Sequence, residues 1–422
     1  MKKKRPYNTL TKTHKIRIYP NQETQKILQR YADYSIYIWN KMLEARDKQY
    51  KVYKELKSQN IFSQQELNKN YYPSVAWLRK TPKEDWELKF NARCKEIQIE
   101  KLDQAWKNYF NPKMPNHKRP KKKNQLENYD MFSVSFRNAR VKDKYLILPN
   151  SKNPQENKLK KIRMAEKLRL TGDITQDVTV SCRYGKWYVS ITVEDTTFKK
   201  KETDRDKKTA VDLNIKKFDY KKDEKTYGQF VLLEDNLLKA YDDIKVYSKI
   251  LSKKRSKNKD YKNSKSYKKM NKQLNDAYLR AYNIQQNYIN QTVAFLFKNY
   301  NYIILEDLNV NSMKMNKSLC KSLHKAMFGR FKIRMEQKST EFDSSLVFAD
   351  RWYPSTQRCS ECGFIKTGDE KLGLNGDNHG NPHDKYVCYN CGIILDRDEN
   401  AVENLLQYSE ELMKEIRKFS KQ

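Results

Sequence analysis

The chain opens on a polar–apolar alternation at residues 14–19 (HKIRIY), which predicts a strand. Pro20 ends it, because proline offers no N–H to a ladder. From Glu23 the period changes: Ile27, Leu28, Tyr31, Ser35, Ile38 and Met42 recur at helical spacing, with helical character through Lys57. A second helical stretch, 85–110, carries Trp86, Phe90, Ile97, Leu102 and Trp106. Residues 22–111 therefore read as a helical domain whose aromatics form its core. Three prolines and a Lys/Arg cluster at 111–123 mark a break, either a solvated linker or a phosphate-contacting loop. Short strands follow at 131–136, 145–148 and 161–164. A hairpin pairs 178–182 with 187–193 through Arg183-Tyr184-Gly185-Lys186. With the first strand, these suggest a small β-barrel made from two separated segments, into which the helical domain is inserted.

Beyond a charged linker at 199–208, Thr209-Ala210-Val211-Asp212-Leu213-Asn214 reads as a buried strand carrying a carboxylate at its end. Residues 218–220 and 229–233 could supply the next two strands. The longest helical segment, 237–300, is interrupted by the lysine-dense stretch 252–268, read as the tip of a helical hairpin. Residues 301–307 (NYIILED) form a second buried strand ending on carboxylates. A helix at 318–340 and a strand at 345–349 lead into a cysteine-rich stretch.

Composition changes the picture in one direction. The 422 residues hold 87 Lys+Arg against 52 Asp+Glu, a net charge of +35. A field of that size attracts polyanions, so nucleic acid is the leading partner. The 29 tyrosines can both pack and stack on bases. No apolar run reaches the ~20 residues that cross a bilayer, and the basic opening MKKKRP is not followed by an apolar segment. A reducing, cytoplasmic setting near the nucleoid is expected, without membrane contact.

Cys359/Cys362 and Cys388/Cys391 form two CxxC pairs. Each is a tight knuckle able to place two thiolates on one tetrahedral ion, and together they complete a closed, structural zinc site. The rival readings are two disulfides, or His379 and His383 from the intervening loop as substitute ligands. The odd total of seven cysteines and the isolated Cys94, Cys182 and Cys320 weigh against disulfides. After the second pair, Asp396-Arg397-Asp398-Glu399-Asn400-Ala401 with Val402, Leu405 and Leu406 reads as a helix start with an acidic first turn. If the two buried strands are neighbours, Asp212, Glu306 and Asp398 converge at one sheet edge. Converging carboxylates repel, and divalent cations relieve them. Two Mg²⁺ ions about 3.5–4 Å apart can activate a water and stabilise the leaving oxygen of a phosphodiester.

AVDLNIKKF, IILEDLNV, STQRCSECG, CYNCG and DRDENAVENL, in this order, resemble the TnpB family of transposon-encoded RNA-guided DNA endonucleases, with the miniature type V CRISPR nucleases as close relatives. KIRIYPNQETQKIL and VTVSCRYGKWYVSITVE are similar to the family's N-terminal entry and to the strands before its catalytic domain. The resemblance implies an α+β multidomain fold: an RNase H-like RuvC domain, a wedge β-barrel with an inserted helical recognition domain, and a four-cysteine zinc module. The expected division is wedge 1–21 and 112–200, helical recognition domain 22–111, RuvC 201–352 and 393–422, and zinc-binding target-nucleic-acid module 353–392. It implies Asp212, Glu306 and Asp398 as the Mg²⁺-binding catalytic acids, with Asp307 and Asp396 ranked below them. It implies Cys359, Cys362, Cys388 and Cys391 as zinc ligands. Its partners would be a guide RNA and double-stranded target DNA. Departures are Asn214 where members often carry Gly, Val402 after Ala401, and a long loop between the cysteine pairs. A non-cleaving RNA-guided repressor, an acidic-residue transposase and a guide-free zinc-ribbon DNA-binding factor are the alternatives.

Overall fold

The computed structural model describes residues 10–71, 84–112, 117–124, 131–170, 172–174, 176–195, 198–202, 206–214, 217–231, 235–257, 260–308, 327–373, 376–377 and 379–419. The architecture is mixed α+β, in two units, Met1–Phe198 and Lys199–Gln422.

In the first unit, β1 (Leu10–Tyr19) leads into α1 (Gln22–Ser58). Asn21 caps α1 by accepting from the Thr24 amide. The helix buries Ile27, Leu28, Tyr31, Ile38 and Met42, one stripe at the expected period. A short helix, α2 (Gln64–Asn70), has a Ser63/Glu66 capping box that sequence periodicity did not reveal. The expected second helix is broken. A 3₁₀ turn at Asp85–Lys89 gives way to extended backbone at Phe90 and Asn91, and α3 (Ala92–Tyr109) begins only there. The reason is local: the Asn91 side chain caps the new helix at Arg93 N, offering the backbone an alternative to a continuous ladder. Arg46 of α1, almost fully buried, bonds Asp103 of α3 at 2.6 Å and lies over Trp106.

The remaining strands of this unit are β2 (Met131–Phe136), β3 (Arg140–Lys142), β4 (Tyr145–Ile147), β5 (Ile162–Met164), β6 (Asp173–Ile174), β7 (Val178–Arg183) and β8 (Lys186–Asp195). They pair antiparallel with β1 in the order β2-β7-β8-β1-β5-β4-β3, with β6 on β8. Among the described residues no ladder joins β2 to β3, so the pairing is that of an open sheet, not of the closed barrel expected. Ile27, Leu28, Tyr31 and Trp106 from the helices share one core with Ile16, Phe132, Phe136 and Val189 from the sheet. The basic stretch after α3 is stitched to α1 where it is described. Trp39 donates to Lys121 O, Arg119 pairs with Asp47, and the Lys123 ammonium rests 3.7 Å from the Trp39 ring centre.

The second unit is built on a five-stranded sheet ordered β11-β10-β9-β12-β13. Its strands are β9 (Lys208–Leu213), β10 (Lys217–Lys221), β11 (Tyr227–Val231), β12 (Tyr302–Glu306) and β13 (Ser345–Ala349). The first three form an antiparallel meander, and β12 joins β9 and β13 in parallel. Between β11 and β12 runs the helical hairpin α4 (Asp235–Lys257) and α5 (Lys265–Asn299). Its lysine-dense tip is narrower than 252–268: charge alone does not end a helix, so α4 runs to Lys257, and Ser264 caps α5 at Tyr267 N. Next comes α6 (Phe328–Ser339); the part of the expected helix at 318–326 lies outside the described residues. After β13 the cysteine module contains a two-stranded ladder, β14 (Lys385–Val387) with β15 (Ile394–Asp396). Two short helices follow, α7 (Arg397–Leu406) and α8 (Glu410–Phe419).

Strand parity sorts the central sheet. Val211, Leu213, Phe218, Ile303 and Leu305 pack with Phe297, Phe331 and Met335 of α5 and α6. Ala210 and Ile304 pack on the other face with Val402, Leu405 and Met413 of α7 and α8. Side chains alternate faces along a strand. Asp212, Asp219 and Glu306 therefore share the face that receives α7. No helix among the described residues is long and apolar enough to cross a membrane.

Candidate functional site

Three carboxylates, Asp212, Asp219 and Asp398, meet with ligand oxygens all within 4.8 Å of one another. Asp212 and Asp219 sit directly opposite each other across the β9–β10 ladder. Asp398 comes from the first turn of α7. Of the three acids expected from sequence, Asp212 and Asp398 are thus brought together. Glu306 stands one residue beyond the last registered β9–β12 pair, Leu305 opposite Val211, and is outside the 4.8 Å group. It is still close enough for its charge to act on Asp212. Its Oε1 accepts from the Ser355 hydroxyl at 2.5 Å.

The cluster is electrostatically strained. Burial, then the charges of Glu306, Asp398 and Asp219, push the Asp212 carboxyl well above its usual value, with Arg397 opposing. Burial raises Glu306 as well, while its bond from Ser355 and the charge of Arg397 act against the rise. Burial raises Asp219, against the pull of Lys217. Asn214 donates to Asp212 Oδ2 at 2.8 Å and, more weakly, to Asp219 Oδ2 at 3.4 Å. Lys217 Nζ spans Asp219 Oδ1 at 3.0 Å and Asp398 Oδ2 at 2.9 Å. Hard oxygen donors crowded at low dielectric are what a divalent cation such as Mg²⁺ neutralises. The residues present fit such an ion.

The neighbouring acids have other partners. Asp396 is the N-cap of α7, and its Oδ1 accepts from the amides of Asp398 and Glu399 at 2.9 and 3.1 Å. Asp307 is paired with Lys332 and Arg351.

The four thiols Cys359, Cys362, Cys388 and Cys391 gather with sulfurs within 4.8 Å of one another. Cys359 and Cys391 are 3.9 Å apart, and Cys362 and Cys388 3.5 Å. A tetrahedron with Zn–S near 2.3 Å has an edge of about 3.8 Å, whereas a disulfide needs about 2.05 Å. The geometry fits zinc and excludes disulfides among these four. The knuckles are built alike. Cys359 N bonds Phe364 O, and Cys388 N bonds Ile393 O. Gly363 N and Gly392 N return to Cys359 O and Cys388 O. The two glycines have φ of +79° and +74°, which side chains rarely adopt. Asn390 helps draw the Cys362 thiol down to about 6, toward the thiolate a metal needs. His379 is not among the four; its ring lies against Tyr389. In the loop between the pairs, Lys366 and Asp377 form an ion pair with both side chains fully buried.

A polar clamp joins the first knuckle to α7. Asn404 Nδ2 donates to Ser355 O at 2.9 Å and Arg358 O at 2.6 Å, and its Oδ1 accepts from Arg358 at 2.8 Å. Asn400 Nδ2 donates to Arg358 O, and Asn400 Oδ1 accepts from Ser360 N. Tyr353 Oη donates to Asn404 O. The module thereby fixes the helix that carries Asp398. Sequence reasoning missed Asn400, Asn404, Lys217 and Asp219. Two asparagines four apart on the apolar stripe of an amphipathic helix were a readable signal. Asp219 carried none, because only the register opposes it to Asp212.

Comparison with known proteins adds two domain matches. Residues 328–405 match the Cas12f1-like TNB domain, and residues 8–55 match a helix-turn-helix domain of the OrfB type from IS605 elements. From Leu10 onward the second segment is a strand followed by one continuous helix. A Streptomyces pristinaespiralis protein, provisionally named an RNA-guided DNA endonuclease, is 23% identical over 93% of this chain and 88% of its own length. A TnpB-like protein of Acanthamoeba polyphaga mimivirus is 30% identical over 36% of this chain and 28% of its own. A cryo-EM structure of a Cas12f1–sgRNA–target DNA complex aligns over 94% of this chain and 98% of its own, at 14% identity and a TM-score of 0.32, a likeness that carries no argument about fold or partners. Two domain matches, one in each unit, and a relative aligned along nearly the whole length make this chain similar to TnpB-like proteins and to proteins named as RNA-guided DNA endonucleases.

Proposed function

We propose that this chain is an RNA-guided DNA endonuclease with a RuvC-type site. The observation that carries the reading is the meeting of Asp212, Asp219 and Asp398, with Glu306 beside them, on the sheet face covered by a cysteine-anchored helix. In this reading the RuvC part is 201–352 with 393–422, and the zinc module is 353–392. The wedge is 1–21 with 112–200, holding the helical part 22–111. Asp212, Glu306 and Asp398 are the principal acids, and Asp219 is an additional one. Magnesium bound there supplies activation of a water and stabilisation of a leaving phosphodiester oxygen. The protein's own work is to hold these carboxylates in place, with Asp212 and Asp219 buried. Asn214 aims Asp212, Ser355 aims Glu306, and the Asp396 cap with the asparagine clamp positions Asp398.

The +35 charge suits a protein that carries a guide RNA and receives a DNA duplex. A candidate nucleic-acid contact lies in the first unit. A groove of about 200 Å³ is lined by Ser35, Gln98, Lys101, Lys123, Phe132 and Ser133, with no carboxylate among the described residues of its lining. Burial lowers the pKa of both ammonium groups; Asp177 opposes this for Lys101, while Lys101 itself adds to it for Lys123. A phosphate would relieve that crowding.

The test is cleavage of matched duplex DNA by protein purified with its co-purifying RNA. The wild type should cut only with Mg²⁺ and only the matched target. Asp212→Ala should bind the RNA and lose cutting by at least about a thousandfold. Guide-dependent cutting that survives in Asp212→Ala would overturn the assignment.

A further inference from the structure

Lys217 is the one feature of the acid cluster that the proposed chemistry does not require. It begins β10, and Asp219 lies two residues on, so both side chains stand on the same face. Its ammonium bonds one oxygen of Asp219 and one of Asp398, two of the three carboxylates whose oxygens gather within 4.8 Å. The stem is long, and the side chain remains 30% exposed, so the ammonium can withdraw to water without unpacking the sheet.

Resting on the magnesium reading above, we propose that Lys217 is a built-in counter-ion that competes with the divalent cation for Asp219 and Asp398 and so sets the metal concentration at which the site fills. The charge count supports competition. Four carboxylates offset two divalent ions completely, so the positive charge of Lys217 in the same cluster is surplus once both are bound. A cation ligated by those oxygens meets the ammonium at close range, where like charges in a partly buried site repel strongly. The ion must either share the carboxylates with the ammonium or displace it. Displaced, Lys217 is a free cation at the rim of the cluster, able to pair with a phosphate oxygen.

The opposite role is a supporting one, in which Lys217 orders the carboxylates for the metal. The two roles differ in sign. The experiment is Mn²⁺ binding to the purified full chain, followed by calorimetry and by the spin resonance of free Mn²⁺, with unfolding temperature recorded with and without the ion. Competition predicts that Lys217→Met binds Mn²⁺ about tenfold tighter or more. It also predicts a lower unfolding temperature in chelator and a larger rise when Mn²⁺ is added. Lys217→Arg, which keeps the counter-ion, should behave like wild type. Unchanged or weaker Mn²⁺ binding in Lys217→Met, with wild-type binding intact, would overturn the proposal and leave the magnesium site standing. Wild-type protein that binds no Mn²⁺ at the carboxylates, with Asp212→Asn indistinguishable from it, would overturn the site and this inference together.

Discussion

Replacing Asn404 by alanine should unfasten the helix bearing Asp398 from the cysteine module. The Asn404 side chain is fully buried, both its amide hydrogens are donated, and its carbonyl oxygen accepts from Arg358. Truncation strands the Ser355 carbonyl and removes one partner each from Arg358 O and the Arg358 guanidinium. Arg358 O keeps Asn400 as a donor, and Arg358 keeps Gln407, so the loss is partial at both. Leaving buried polar groups unsatisfied costs about 1–3 kcal/mol each, so the total should fall near 3–5 kcal/mol. For a unit of this size that is a drop on the order of 10 °C in unfolding temperature. Asn404→Asp is the sharper variant. It is nearly isosteric, but it turns two donated bonds into oxygen–oxygen repulsion and buries a charge, so it should destabilise more than alanine. The assay is urea and thermal unfolding of the zinc-loaded chain, with zinc release followed in parallel. A loss below about 1 kcal/mol in both variants would refute the clamp as the fastening of α7.

Other consequences can be checked in the same preparations. The raised carboxyls of Asp212, Asp219 and Glu306 mean that the folded state binds protons more tightly than the unfolded one. Their contribution to stability therefore falls as pH rises from the ordinary carboxylate range through their elevated native values. In chelator, Asp212→Asn should be more stable than wild type at pH 7–8, with the gap closing toward pH 4; a less stable Asp212→Asn at pH 7 would contradict the strained cluster. Cys362→Ser should lose the bound zinc and leave the module open to protease between the cysteine pairs, since structural zinc supplies folding free energy directly. Unchanged digestion and full zinc content in that variant would count against a four-thiolate site.

How far the sequence could be read depended on the range of the interaction. The second part of β1, residues 14–19, the start of α1 and the β7–β8 hairpin follow from local alternation, period and turn residues; the strand's extension back to Leu10 comes from its pairing with β8. The CxxC knuckles are encoded locally, because the positive-φ glycine and the two returning bonds lie within each segment. The second helix was misread because one capping asparagine outweighed an otherwise helical pattern. Alternation along β9 and β12 fixes which residues share a face, and to that extent the partnership of Asp212 with Glu306 was already in the chain.

What tertiary structure alone decided is register and distance. Opposing Asp219 to Asp212 requires the particular pairing of β10 on β9, and a slip of one residue would turn it to the other face. Likewise Asp398 reaches the cluster because buried asparagines tie its helix to a knuckle some forty residues earlier in the chain. Short-range backbone preference and side-chain periodicity are properties of a segment. Carboxylate geometry at Ångström scale is a property of segments packed against one another, and no segment contains it.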